Sequence, residues 1–121
     1  MMMEGVKMED CIFCKIVKGE IKADKIFEDD KVLAFKDLSP QAPVHILVIP
    51  KEHIESAKDI NEENSEIISH IFEVISYIAG DLSLNEEGFR VVSNSGENAG
   101  QSVMHLHFHL LSGRPFSWPP G

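Results

Sequence analysis

From Ile67 to Leu82 the apolar residues recur at spacings of three and four. Ile67, Ile71, Ile75, Ile78 and Leu82 make one stripe, which Ile68, Phe72 and Ala79 widen. The spacing predicts a long amphipathic helix. Asn61 or Asp59 is expected to cap its start, Glu62 and Glu63 suit the positive end of its dipole, and Gly80 marks its end. Elsewhere the pattern is one of short strands. Lys25 to Phe27 and Val32 to Phe35 flank the turn-forming Glu28-Asp29-Asp30. His45 to Ile49 is apolar and β-branched, a buried strand stopped by Pro50. Phe89 to Val92 and Val103 to Leu111 read as two more strands, and Ile12 to Val17 as a short helix. The segment Ser39-Pro40-Gln41-Ala42-Pro43 is a loop, because two prolines so close fit neither a helix nor an inner strand. Strands, then a helix, then strands indicate an α+β fold with a mainly antiparallel sheet.

The chain has 121 residues, 43% of them hydrophobic and 26% charged, which suits one globular domain. Residues 1–10 are expected to be a flexible polar terminus, and residues 11–121 a single domain. The formal net charge of -9 argues against nucleic acid or an anionic membrane as partner, since both need a basic face. A small anion remains compatible with it, because backbone N–H groups can hold one in an acidic protein. No signal-peptide core and no membrane-length apolar run is visible, so a cytoplasmic location is expected. The two cysteines, Cys11 and Cys14, are spaced C-x-x-C. In a reducing compartment that spacing reads as metal ligands or a redox pair.

The segment His105-Leu106-His107-Phe108-His109-Leu110-Leu111 holds three of the six histidines. On a strand they share one face, and Leu106, Phe108 and Leu110 share the other. Same-face neighbours lie about 6.5–7 Å apart, so one ion cannot reach all three imidazoles. An adjacent pair such as His105 and His107 can share a metal. Alternatively the strand divides its roles, with one histidine structural or metal-binding, the middle one a nucleophile and the last a substrate contact. The preceding loop, Gly96 to Ser102, supports the divided reading. Its glycines let backbone N–H groups approach an anion, and Gln101 and Ser102 add side-chain donors.

The pattern His-φ-His-φ-His-φ-φ, with φ apolar, resembles the signature of the histidine-triad (HIT) superfamily. The match looks closest to its HINT branch, the purine nucleoside phosphoramidases. Asp37-Leu38-Ser39-Pro40-Gln41-Ala42-Pro43-Val44-His45, Leu47-Val48-Ile49-Pro50-Lys51, Gly100-Gln101-Ser102-Val103 and Trp118-Pro119-Pro120-Gly121 resemble the same branch. The resemblance implies a five-stranded antiparallel sheet with one long helix and a short N-terminal helix, paired as a homodimer into a ten-stranded sheet. It implies that His107 attacks the α-phosphorus of an adenosine or guanosine 5′-phosphoramidate, forming a nucleotidyl-histidine that water releases as AMP or GMP. It assigns His109, Asn94 and Ser102, with Gly100, Gln101 and Val103 in the same loop, to the phosphate and leaving group. Asp37 would hold the ribose hydroxyls, and Phe35, with Ile12 and Phe13, the base. His45 would support the histidine network, and Ser102 or a neighbouring histidine would pass a proton to the leaving amine. Trp118 would border the leaving group, on this subunit's pocket or its partner's.

Cys11-Ile12-Phe13-Cys14 also resembles the zinc site of the related galactose-1-phosphate uridylyltransferases. Carried over residue by residue, the ligand set is Cys11, Cys14, His53 and His105, with His45 competing for the fourth position. A Cys2His2 set is closed and tetrahedral, and so reads as structural Zn2+. His70, alone on the helix, reads as a surface or packing residue. Two alternatives from other classes are a nucleotide-binding regulatory or scaffold protein with incidental hydrolysis and a zinc enzyme using the histidines as catalytic ligands. A dinucleoside polyphosphate hydrolase is a third, within the superfamily.

Overall fold

Alternation in the strands and the wide stripe of the helix divide the apolar side chains into two sets. A computed structural model describes residues 10–121. The expected flexible terminus therefore falls, except for Asp10, outside the described residues. The elements are α1 (Ile12–Val17), β1 (Lys25–Glu28), β2 (Val32–Lys36), β3 (Val44–Pro50), α2 (Ser65–Asp81), β4 (Phe89–Val92) and β5 (Phe108–Ser112). The five strands form one antiparallel sheet in the order β1-β2-β3-β5-β4. This is the α+β fold expected.

One sheet face buries Val32, Ala34, Ile46, Val48, Phe108 and Leu110 against Ile71, Val74, Ile75 and Ile78 of α2. The other face carries Leu33, Phe35, Leu47 and Ile49, covered by Phe13 and Ile16 of α1. The period of two along each strand sorts these sets, and residues opposite one another share a face. Leu47 faces His109 and His45 faces Leu111. His45 and His109 thus lie on the α1 side, diagonal to one another across β3 and β5.

Three boundaries differ from those expected. Helix α2 begins after Asn64 rather than Asn61 or Asp59. Asn61 Oδ1 instead accepts from the Glu63 and Asn64 amides, and Asn64 Oδ1 from the Asn61 amide, which holds residues 61–64 in a separate turn. The helix runs through Gly80 to Asp81. The last strand starts at Phe108, not Val103. Its ladder with β3 stops at the Val48–Phe108 pair although β3 continues to Pro50, which has no N–H to donate and whose carbonyl faces His105 Nε2. The chain before Phe108 bonds to the loop beyond β3: the Leu106 amide donates to the Ile54 carbonyl at 2.6 Å.

Candidate functional site

The reversal of side chains along residues 105–109 survives without strand pairing over its first half. Leu106 and Phe108 enter the α2 core, while the His105 and His107 rings lie edge-on to Phe13, at 5.8 and 5.2 Å between centroids. The three histidines nevertheless serve different neighbourhoods.

His105 is fully buried. Its Nε2 lies 2.8 Å from the Pro50 carbonyl and must donate to it. In the neutral ring this leaves the lone pair on Nδ1, which faces Cys11 Sγ at 3.3 Å and Cys14 Sγ at 3.6 Å. His53 Nδ1 lies 3.3 Å from Cys14 Sγ. Cys11 caps α1, its sulfur accepting from the Cys14 amide at 3.3 Å. The four candidate ligand atoms all lie within 4.8 Å of one another. A tetrahedral zinc with bonds of about 2.3 Å to sulfur and about 2.0 Å to nitrogen has ligand–ligand edges near ~3.5 Å, which these separations match. The carbonyl behind His105 is the outer-shell partner that fixes a ligating tautomer. Burial, with a contribution from Cys11, pushes the Cys14 thiol up to about 11. A cation is what would make that sulfur a thiolate at neutral pH. His45, the competing ligand, is not in this cluster.

His107 follows a different rule. Its Nδ1 donates to the His105 carbonyl at 2.7 Å, so the neutral ring carries its lone pair on Nε2. Ser93 Oγ in turn donates to the His107 carbonyl at 2.9 Å. His107 borders a cavity of about 250 Å³ between α1 and the sheet. Its other walls include Phe13, Phe35, Asp37, Ser102 and His109, and Ile12 and Val103 also line it. Burial lowers the His107 pKa, against the opposing effects of the His105 carbonyl and Asp37. The shift favours the neutral ring, the form a nucleophile needs.

His109 and His45 make a second histidine pair. The Gln41 backbone N–H donates to His45 Nδ1 at 3.0 Å, so neutral His45 carries its proton on Nε2. That Nε2 lies 2.9 Å from His109 Nδ1 and 3.4 Å from Asp37 Oδ2. His109 Nδ1 accepts from it, and its own proton sits on Nε2. Burial, and then the neighbouring His107 and His45, bring the His109 pKa down to about 4. Burial likewise lowers that of His45. Asp37, His45 and His109 are also close enough to share a cation. The Gln41 amide opposes that use, because ligation through His45 Nε2 would place a proton on Nδ1 against an N–H donor. The same reasoning that frees His105 for a metal thus commits His45 and His109 to hydrogen bonding.

The chain matches the family described as "Scavenger mRNA decapping enzyme C-term binding" over residues 10–116. It is 48% identical over 113 residues to an uncharacterized HIT-like protein of Synechocystis sp., covering 93% of this chain and 98% of that protein. The chain belongs to the HIT superfamily. A HIT family hydrolase of Legionella pneumophila has a similar structure, with a TM-score of 0.90 and 48% identity over 92% of this chain and 99% of that one. A 14 kDa zinc-binding protein of Zea mays is 46% identical over 112 residues, 91% of this chain and 87% of that protein.

Some residues assigned from the HIT resemblance stand elsewhere. Asn94, Gly100, Gln101 and Trp118 do not line the cavity of this chain. The Gln101 side chain, expected to add donors for an anion, is engaged by main-chain groups. It is buried, its Nε2 donating to the Glu55 and Val103 carbonyls and its Oε1 accepting from the Gly96 amide. It shapes the loop instead. Trp118 is 82% exposed. Sequence reasoning missed Ser93 and the Gln41 amide. Neither announces itself in residue type, because one supports a carbonyl and the other acts through the main chain.

Among the described residues, no helix is long and apolar enough to cross a membrane.

Proposed function

We propose that the protein is a nucleotide-binding hydrolase of the HINT branch, cleaving the P–N bond of purine nucleoside 5′-phosphoramidates. The observation that carries this reading is the hydrogen bond from His107 Nδ1 to the His105 carbonyl, which leaves a nucleophilic lone pair on Nε2 beside the cavity. The hydrolase name of the Legionella relative supports the reaction class.

His107 Nε2 attacks the α-phosphorus, and the P–N bond to the amine breaks as the P–Nε2 bond forms. Positive charge arising on the imidazole is shared through Nδ1–H with the His105 carbonyl. The amine leaves with the bonding electron pair and takes a proton, passed by the Ser102 hydroxyl or a neighbouring histidine at the cavity. The His109 Nε2–H donates to a phosphoryl oxygen, and amides of the Gly100 to Val103 loop, with Asn94, complete the phosphate's surroundings. Asp37 receives the ribose hydroxyls, and Phe35, Ile12 and Phe13 enclose the base. Water then attacks phosphorus as the P–Nε2 bond breaks with its electron pair returning to Nε2, AMP or GMP is released, and the proton lost by the water replaces the one given to the amine.

Zn2+ on Cys11, Cys14, His53 and His105 supplies a structural cross-link between α1 and the His105 segment. The donor set, the His105 tautomer and the zinc-binding name of the maize relative support that assignment. The protein acts in the cytoplasm as a homodimer. Its edge strand β4 extends the sheet to ten strands, and the exposed Trp118 borders the partner subunit's pocket.

The test is mass spectrometry of protein quenched during turnover of adenosine 5′-phosphoramidate, beside the His107→Asn variant. An adenylyl adduct on His107 that is absent from the variant is the expected result. Nucleotide binding with neither turnover nor adduct would replace this reading by a regulatory binding protein.

A further inference from the structure

We propose that Arg114, which lies outside the cavity, is a positioning residue for the reaction: it fixes the His45–His109 pair through the main chain of Gln41. The effect on turnover rests on the reading above; the structural coupling does not.

Arg114 follows β5 by two residues and reaches back 73 positions along the chain. Its Nε and Nη2 both donate to the Gln41 carbonyl, at 3.1 and 3.0 Å. Its Nη1 donates to the Pro115 carbonyl at 2.9 Å. The guanidinium also stacks over Phe116, 4.3 Å from the ring centroid. An exposed arginine is thus held on several sides, although ordering so flexible a side chain costs conformational entropy. Two donors converging on one oxygen require the planar fork of arginine, which a lysine ammonium does not reproduce.

The residue gripped is the one that orients the histidines. Gln41 sits between Pro40 and Ala42-Pro43, in a loop whose prolines offer no N–H. Its own N–H is spent on His45 Nδ1 at 3.0 Å. That single donor decides which nitrogen of His45 carries the proton, and therefore that His109 Nδ1 accepts rather than donates at 2.9 Å. Arg114 holds the carbonyl of the same residue. If the carbonyl swings free, the amide leaves His45 Nδ1, His45 samples both tautomers, and His109 loses its fixed donor. Arg90 gives the contrast. It binds the same tail, donating to the Ser117 carbonyl at 2.9 Å and lying 5.3 Å from the Phe116 centroid. Its hydrogen bond goes to the tail and not to the 37–43 loop.

The experiment measures imidazole 15N resonances in the folded, metal-loaded protein, comparing wild type with Arg114→Ala, Arg114→Lys and Arg90→Ala. Wild type should show both His45 and His109 protonated at Nε2. Arg114→Ala should shift His45 to a tautomer mixture, Arg114→Lys should fall between, and Arg90→Ala should keep the wild-type pattern. With adenosine 5′-phosphoramidate, kcat of Arg114→Ala should fall about tenfold with KM little changed, as expected for lost orientation rather than lost binding. Wild-type tautomers in both Arg114 variants would overturn the proposal. So would an equal change in Arg90→Ala, which would make tail docking in general the cause. Absence of wild-type turnover would count against the phosphoramidase reading alone, since the tautomers still decide the role of Arg114. The backbone amide spectrum verifies folding, and Arg114→Lys carries the test if the alanine variant does not fold.

Discussion

His107 and His105 are joined through the main chain: the Nδ1–H of one ring donates to the carbonyl of the other residue at 2.7 Å. The His105 ring meanwhile faces Cys11 and Cys14. One residue therefore orients the His107 ring with its backbone and joins the Cys11–Cys14–His53 cluster with its side chain. Displacing it disturbs both sites.

Chelating zinc from the loaded protein should therefore reach the nucleotide cavity. Cys11 and Cys14 bracket Phe13, whose ring meets His107, so freeing the cysteines frees a cavity wall. AMP binding should weaken about tenfold, or ~1.4 kcal/mol. Amide exchange should quicken across Ile12–Val17. Calorimetry and exchange mass spectrometry check the two effects. Unchanged exchange would mean that packing alone holds α1.

Phe13→Ala should cost about 3 kcal/mol of stability, because the ring is buried against Phe35, His105 and His107. Denaturant unfolding measures it. A loss below ~1 kcal/mol would show that the site collapses around the smaller side chain.

Gly113→Ala should be destabilising and should also slow turnover. Gly113 has a φ of +97°, and an added Cβ would lie 2.7 Å from Pro43 Cβ. Relief requires the 37–43 loop to move, and that loop carries Asp37 and Gln41. A thermal melt and a turnover assay of the same preparation test it. A stable variant with wild-type kcat would contradict the expected coupling.

Stability should include a pH-dependent part from His70, whose Nε2 lies 2.6 Å from Asp29 Oδ2. Hydrogen bonds to Asp29 and Glu73 raise the His70 pKa. Burial opposes ionisation of Asp29, but hydrogen bonds from His70 and the Lys31 and Val32 amides outweigh it and lower the Asp29 pKa. The His70 contribution is complete below its unfolded pKa of about 6.5 and disappears as pH rises through its raised folded value. The Asp29 contribution is complete above about 3.9 and disappears as pH falls through its lowered folded value. Their overlap is greatest between about pH 4 and 6.5. The melting-temperature gap between wild type and His70→Gln should be widest near pH 5.5 and narrow by pH 8.5. A gap independent of pH would show that the contact acts by packing.

Periodicity made α1, the first three strands, β4 and the body of α2 legible in the sequence. It failed where side chains or partners override it. Asn61 and Asn64 close a turn of their own, and the segment before Phe108 leaves the β3 ladder after Val48, with His105 and Leu106 bonding to the Pro50 and Ile54 carbonyls instead. In the site, alternation correctly sent His105 and His107 to the face opposite Leu106. The choice of His53 over His45 beside the cysteines depended on the loop after Pro50, which spacing does not describe. The tautomers were illegible, since they are set by Pro50 O, His105 O and Gln41 N, groups that every such residue owns.

The division of the sheet into an α2 face and an α1 face also separates two kinds of evolutionary freedom. Substitutions among Ile71, Ile75 and Ile78 meet only the side that packs on α2. Changes there can be selected for thermal robustness while the histidine face keeps its geometry. Conversely, the cavity can be reshaped at Ile12 or Val103, which line it, without reopening the larger core. The fold thus gives adaptation two nearly independent handles, one for durability and one for substrate.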